Sequence, residues 1–284
     1  MRTPAAWARA ATSPTGVHQA GELVLPGYRV VSLLSHGRRI DTYDVYSLER
    51  DCRCVVKILR ADRREEKRVR EAVLLEGSLL SSFTHPHLVR GYEVHTTPAP
   101  AMVLETLGGA TLAALIDDGP LGVPDTAQLG LHLVSVLSYL HAQDWLHLDV
   151  KPANIVVESG RATLIDLSLV GRPGEGRPGA GTRGYLAPEQ AIGRDLSAAT
   201  DVWGLGVTLL EALTATMPHG DEATWDSRRR LPVVHRREPP PPPPPLDQVP
   251  PVYDDLLRGC LAHSPGHRPT LDQVRTVLSN LVDN

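Results

Sequence analysis

The chain has 284 residues, 42% hydrophobic and 22% charged, with a net charge of −4. That apolar fraction excludes wholesale disorder, the length fits one large domain or two lobes, and the mildly acidic balance argues against nucleic acid as the main ligand. No uninterrupted apolar stretch reaches the ~18 residues a transmembrane helix needs, so no membrane insertion is expected.

Residues 1–26 are rich in Ala, Thr, Pro and Arg and hold no acid before Glu22. Without an apolar core they read as a disordered N-terminal tail rather than a secretory leader, although their composition also fits an organelle transit peptide. From Tyr28 the pattern becomes strand-like: YRVVSLLS, a turn at His36–Gly37, then TYDVYSL and CRCVVKILR around a polar ERD turn. The segment 62–82 carries Val69, Val73, Leu74, Leu79 and Leu80 at a spacing of three to four, which predicts a helix. After His85–Pro86 come two short strands near 88–94 and 101–104, and Gly108–Gly109 ends this β-rich part. The remainder is mostly helical, with expected helices at 111–117, 125–143, 199–215, 251–262 and 270–280. Asp125 and Thr270 stand where N-caps belong. NIVV and ATLIDL, joined by ESGR, make a small hairpin. Two segments look irregular, the Gly/Pro/Arg-rich 171–181 and 221–251, which contains seven consecutive prolines, Pro239–Pro245. The proline run is expected to be an extended spacer, with an SH3-like partner as the alternative, and Arg228–Arg230, Arg236 and Arg237 a solvated cluster or an acidic docking site.

Cys52 and Cys54 lie two apart with no second ligand pair at metal spacing, so they are expected to be small packing residues on one strand face. Three cysteines without a secretory leader fit a reducing, cytoplasmic setting. Only three lysines, Lys57, Lys67 and Lys151, stand against 26 arginines.

The most informative string is HLDVKPANIV, 147–156. Asp149, Lys151 and Asn154 follow an apolar helix and precede a strand, so they occupy a loop held by rigid elements. A carboxylate can accept a proton from a hydroxyl nucleophile, an ammonium can neutralise a transferring phosphoryl group, and an amide oxygen suits a hard cation such as Mg²⁺. Asp166, at the end of the second hairpin strand, could complete that metal site. His147 is expected to be a buried packing and backbone-bonding residue, and Trp203 a core residue.

This string resembles the catalytic loop of eukaryotic-type (Hanks-type) protein kinases, most of all the bacterial serine/threonine members. The likeness extends over about 250 residues, with further motifs in family order. Lys57 in CVVKIL matches the lysine that holds the α- and β-phosphates, and Glu76 the helix glutamate paired with it. Asp166 in IDLS matches the Mg²⁺-binding aspartate. GTRGYLAPEQ contains Ala187, Pro188 and Glu189, DVWGLGVTLLEALT supplies Asp201, and HRPTLDQV places Arg268 where the family pairs an arginine with Glu189. The resemblance implies an α+β, bilobal protein kinase fold over residues 27–284, with an N-lobe at 27–107 and a C-lobe at 108–284. It implies ATP in the cleft with Mg²⁺ on Asn154 and Asp166. The nucleotide would be contacted by Ser35, Gly37, Thr42, Val55, Lys57, Leu104 as gatekeeper, Glu105 and Leu107 of the hinge, and Val156. Asp149 and Lys151 would be catalytic with Lys57 and Glu76, and the acceptor a Ser or Thr of a protein substrate. With no membrane anchor in this chain, a soluble protein recruited by something encoded elsewhere is expected.

Three departures matter. The G-x-G-x-x-G positions read Ser35, Gly37 and Ile40, which should weaken a backbone phosphate cradle. DFG has become Asp166-Leu167-Ser168, and Ser168 is expected to restrict the backbone. HRD has become HLD, with Leu148 in place of the arginine that binds an activation-loop phosphate, and 169–181 holds no Ser, Thr or Tyr. A switch by activation-loop phosphorylation is therefore not expected, and Thr182 resembles the family threonine that contacts the catalytic Asp and Lys. An active serine/threonine kinase is the leading reading. A pseudokinase acting as a nucleotide-binding or scaffolding module is its alternative, and a small-molecule phosphotransferase fits less well because of the APE segment.

Overall fold

Alternation along the early strands sets the two faces of a six-stranded antiparallel sheet in the computed structural model, which describes residues 16–218 and 249–282. The strands are β1 (Leu23–Leu25), β2 (Tyr28–His36), β3 (Ile40–Ser47), β4 (Cys52–Leu59), β5 (Gly91–His95) and β6 (Ala101–Glu105), in spatial order β1-β2-β3-β4-β6-β5. Thr42 pairs with Lys57, Val55 with Leu104 and Lys57 with Met102. Directly opposed residues share a face, so these five side chains lie on one side. The other side carries Tyr43, Val45, Cys54, Val56, Ile58, Ala101 and Val103, all in a buried core that includes Val24 and Leu25. Residues 23–25 are therefore not part of a disordered tail, contrary to the expectation for 1–26. Burial of two aliphatic side chains holds β1 in the sheet, and the Tyr43 hydroxyl accepts the His18 N–H at 3.1 Å. Residues 1–15 lie outside the described part.

Helix α1 (Lys67–Ser82) packs on β5 and β6. It starts five residues later than its periodicity suggests. A short 3-10 turn at Ala61–Arg63 comes first, and the charged run that follows offers no apolar anchor before Val69. Cys54 is buried as expected, whereas Cys52, at the strand's first position, is exposed.

The rest of the chain forms a second unit with a small antiparallel sheet, β7 (Ala110–Thr111), β8 (Ile155–Glu158) and β9 (Arg161–Leu164). The β8–β9 turn uses Ser159 and Gly160, both with positive φ (49° and 78°), the pattern of a tight hairpin. Its helices are α2 (Leu112–Asp117), α3 (Val123–His141), α4 (Pro188–Ile192), α5 (Ala198–Thr214), α6 (Pro251–Cys260) and α7 (Leu271–Val282). The stripe Leu129, Leu133, Val136, Leu137 and Leu140 of α3 is fully buried, as is Trp203 of α5. Asp125 is not the cap of α3. Pro124 pre-sets the first turn, the cap is Gly122, and Asp125 sits inside the helix. Thr270 does cap α7, in a reciprocal pair with Gln273.

The unit boundary falls between Gly108 and Gly109, one residue beyond the expected 107/108 division, with one exception: His85–Leu88 belongs to the second unit although the chain on both sides belongs to the first. The His87 carbonyl accepts the Leu164 N–H (2.9 Å), and its ring stacks on His132 with centroids 4.1 Å apart. His85 is bonded to Ser135 at 3.2 Å. Among the described residues no helix is long and apolar enough to cross a membrane. The proline run and the arginine cluster fall outside the described residues.

Candidate active site

In the first unit, β4 and α1 bring Lys57 and Glu76 together. Nζ lies 2.7 Å from Oε1, and the carboxylate is 1% exposed. A carboxylate so buried is held in place by its cation, and it in turn fixes a flexible four-carbon stem. Thr42, Val55 and Leu104 share the sheet face of Lys57. Glu105 donates its N–H to the Arg90 carbonyl and accepts the Arg90 N–H on its side chain. Leu107 is half-buried beyond it.

The β2–β3 turn is closed on itself. Ser35 pairs with Thr42 and His36 with Asp41. The Gly37 N–H donates to the Ile40 carbonyl at 3.0 Å, and a Cβ on Gly37 would come within 2.7 Å of that oxygen, which explains the one glycine kept. His36 bonds the Asp41 carboxylate at 2.7 Å, and Arg60 reaches both His36 (2.8 Å) and the Gly37 carbonyl (3.0 Å). No sequence signal pointed to Arg60, because its partners lie 24 and 23 residues away.

In the second unit the loop after α3 places Asp149 amid four donors. Oδ1 accepts the Thr182 hydroxyl (2.8 Å) and the Thr182 N–H (3.1 Å). Oδ2 accepts the Asn154 amide (3.0 Å) and the Lys151 ammonium (2.8 Å). Lys151 also donates to the Thr182 hydroxyl at 2.6 Å. Asn154 spends its amide nitrogen on the Asp149 side chain and carbonyl, so the amide oxygen is the atom left to face a cation. Ile165, one residue before Asp166, donates its N–H to the Asn154 carbonyl at 3.0 Å. Asp166 lies two residues past the end of β9 rather than on it, and its Oδ1 accepts the Ser168 N–H at 2.6 Å. An amide oxygen and a carboxylate are both hard oxygen donors, a chemistry that fits Mg²⁺. Ser168 does not have a positive φ, so this conformation carries no left-handed strain at that position. Val156, on β8, is buried.

The loop is tied down from below. His147 is buried and its Nδ1 accepts the Asp149 N–H at 3.2 Å. The Asp201 carboxylate accepts the N–H groups of His147 and Leu148, both at 2.8 Å, and bonds His141 at 2.7 Å. Burial opposes the charge on Asp201, but the His141 imidazole and the Leu148 N–H outweigh it and hold the carboxyl below its usual range. Leu148 itself is left-handed (φ 63°). Arg268 meets Glu189 in a fork of 2.6 and 2.9 Å. Gln190, whose residue type carries no signal of its own, donates to the carbonyls of Leu148 (2.6 Å) and Ala180 (2.8 Å).

Residues 28–277 match the family model described as the protein kinase domain. The chain is 27% identical over 205 residues to the SNF1-related protein kinase catalytic subunit alpha KIN12 of Arabidopsis thaliana, covering 70% of this chain and 42% of that protein. It is 26% identical over 272 residues to the probable serine/threonine-protein kinase SCO3848 of Streptomyces coelicolor (90% and 40%). With the serine/threonine-protein kinase PknB of Mycobacterium leprae it shares 31% over 176 residues (57% and 28%). The matches thus cover no more than half the length of these relatives. A β-sheet unit carrying the Lys57–Glu76 pair, a helical unit carrying the Asp149 loop, and a family match over 28–277 lead to one assignment: the chain belongs to the protein kinase family and has its bilobal α+β fold.

Proposed function

We propose that this chain is a serine/threonine protein kinase that moves the γ-phosphoryl group of ATP to a protein hydroxyl. The observation that carries the reading is Asp149, whose two oxygens are oriented by Thr182, Asn154 and Lys151 while Lys57 and Glu76 remain paired. A chain released from phosphoryl transfer would be free to lose this set, and two of its only three lysines, in a sequence with 26 arginines, fall within it.

In this reading Lys57, steadied by Glu76, holds the α- and β-phosphates. Asn154 and Asp166 would hold Mg²⁺, which would neutralise charge on the phosphate oxygens. The acceptor hydroxyl donates to Asp149, which takes its proton as the oxygen–γ-phosphorus bond forms and the bridge to the β-phosphate breaks, leaving ADP. Lys151 turns from Asp149 toward the transferring group and neutralises it. The relatives' names, together with Lys151, support a Ser or Thr acceptor.

Activation-loop phosphorylation does not switch the activity in this reading, because Leu148 offers no guanidinium and Thr182 is already engaged by Asp149 and Lys151. ADP formation from Mg-ATP by the purified chain, compared with Asp149→Asn, tests the activity; equal background in both refutes it. Phosphopeptide mapping that finds an activating phosphate at Thr182 refutes the regulation.

One observation favours a second reading, a pseudokinase that binds without transferring. The Gly37 N–H is consumed inside its own turn by Ile40, and Ser35 and Ile40 replace the other glycines. Nucleotide binding with no ADP above the Asp149→Asn background selects it.

A further inference from the structure

We propose that Gln190 is a positioning residue that clamps the activation segment onto the catalytic loop, taking the place that a phosphate–guanidinium pair would otherwise fill. The inference rests on the kinase reading for its activity measurement and on geometry alone for its structural one.

Gln190 is 5% exposed on α4, and its amide faces two backbone carbonyls, Leu148 at 2.6 Å and Ala180 at 2.8 Å. Of the two ends of the glutamine amide only the nitrogen can donate, so its two carbonyl partners fix the orientation of the side chain. The two carbonyls belong to the two segments that must stay in register. Leu148 precedes Asp149, and Ala180 lies two residues before Thr182, whose N–H and hydroxyl both bond Asp149.

The peptide joining Leu148 to Asp149 is thereby held at both its polar atoms, its oxygen by Gln190 and its nitrogen's hydrogen by His147 Nδ1. Leu148 keeps a left-handed backbone (φ 63°), which a non-glycine residue holds only where the surroundings impose it. The Asp201 bond to the Leu148 N–H and the Gln190 bond to its carbonyl supply that constraint. On the other segment, Gly179 donates its N–H to the Gln190 carbonyl at 3.3 Å. Gly181 has φ +137°, and a Cβ there would come within 2.9 Å of the Gln190 amide nitrogen and 2.6 Å of Leu186. Gln190 thus meets residues 179–181 with both its backbone and its side chain, in the same stretch that has no hydroxyl to phosphorylate.

The test compares Gln190→Met, which keeps the shape without donors, and Gln190→Glu, which sets acceptors against the two carbonyls. Misplacing a reacting group by about 1 Å can cost about 100-fold. The expected result is a kcat at least about tenfold lower in both variants, with KM for ATP within about twofold of wild type and melting temperatures within about 3 °C for Gln190→Met. Amide exchange is measured in parallel on wild type and the two variants with no nucleotide added, and the N–H groups of Gly179 and Thr182 should lose protection while those of α5 keep it. Full activity in Gln190→Met, or unchanged protection at Gly179 and Thr182, overturns the clamp. If the wild type makes no ADP, the kinase reading fails, and the exchange measurement still decides whether Gln190 holds the two segments together.

Discussion

Arg268 is the place where a single substitution should cost the second unit most. Its guanidinium is fully buried and forks onto Glu189, and it also donates to the carbonyls of Ala199 (2.8 Å), Ala262 (2.8 Å) and His263 (3.3 Å). Its carbon centre sits 5.0 Å above the ring of Trp203. Arg268→Met keeps much of the volume but strands Glu189 as an uncompensated buried carboxylate, a loss of about 3–5 kcal/mol. Each of the three carbonyls that loses its donor adds about 1 kcal/mol at most, and these terms overlap with the first, so a total of about 4–6 kcal/mol is expected. That is a large share of the roughly 5–15 kcal/mol by which domains are stable. In urea, with a slope of about 3 kcal/mol per molar, the midpoint should fall by about 1.5 M. Arg268→Lys, which keeps the charge without the fork, should fall in between. The double variant Arg268→Met with Glu189→Leu should recover much of the single variant's loss, because no charge is then left buried alone. A midpoint shift under about 0.3 M for Arg268→Met, or a double variant as unstable as the two single losses added, would show that this reasoning is wrong.

Acid should loosen the contact between His85–Leu88 and α3. Burial, and then the neighbouring His87, push His132 down to about 4 from its usual 6.5 and lower His85 in the same direction. The folded state therefore binds fewer protons than the unfolded one between those values, and stability present above pH 6.5 drains as the pH falls toward 4. Urea midpoints from pH 7 to 4.5 should decline more steeply for wild type than for His132→Gln; parallel curves would refute the assignment. Glu211 has the opposite sign. Burial raises its carboxyl, the Tyr185 hydroxyl partly offsets that, and Asp117 adds to it. Its contribution is present at low pH and lost as the pH rises through the folded value, so Glu211→Gln should be more stable than wild type at pH 8 and equal to it at pH 4. A glutamine variant less stable at both pH values would contradict this.

Where a periodic or spaced signal existed, the sequence was a good guide. The three-to-four spacing from Leu129 to Leu140 located α3, and the ESGR string located the β8–β9 turn. HLDVKPAN located the loop whose members the structure gathers around Asp149. What stayed hidden had no local signature. Strand β1 is three residues long, and what makes it a strand is pairing with β2 and burial of Val24 and Leu25 in the sheet's core. The start of α1 has no such signature, because charged residues fit a 3-10 turn as well as a helix. Gln190 is an ordinary residue type whose importance comes from two carbonyls 42 and 10 positions away. The imidazole stack of His87 on His132 joins positions with no shared motif.

The route of the backbone through His85–Leu88 governs how this protein can be taken apart. The chain enters the second unit at His85, leaves it after Leu88, and enters it again after Gly108. No single cut therefore releases either unit whole. A fragment ending at Gly108 would carry away the carbonyl that receives the Leu164 N–H and the ring that lies on His132, leaving the helical unit with an unmet donor and a bared imidazole. The same fragment would take with it Leu88, a buried side chain that belongs to the other core. Chimeras between relatives, or split versions of the chain for complementation, should therefore exchange these four residues together with Gly109 onward, as two pieces of one inheritance.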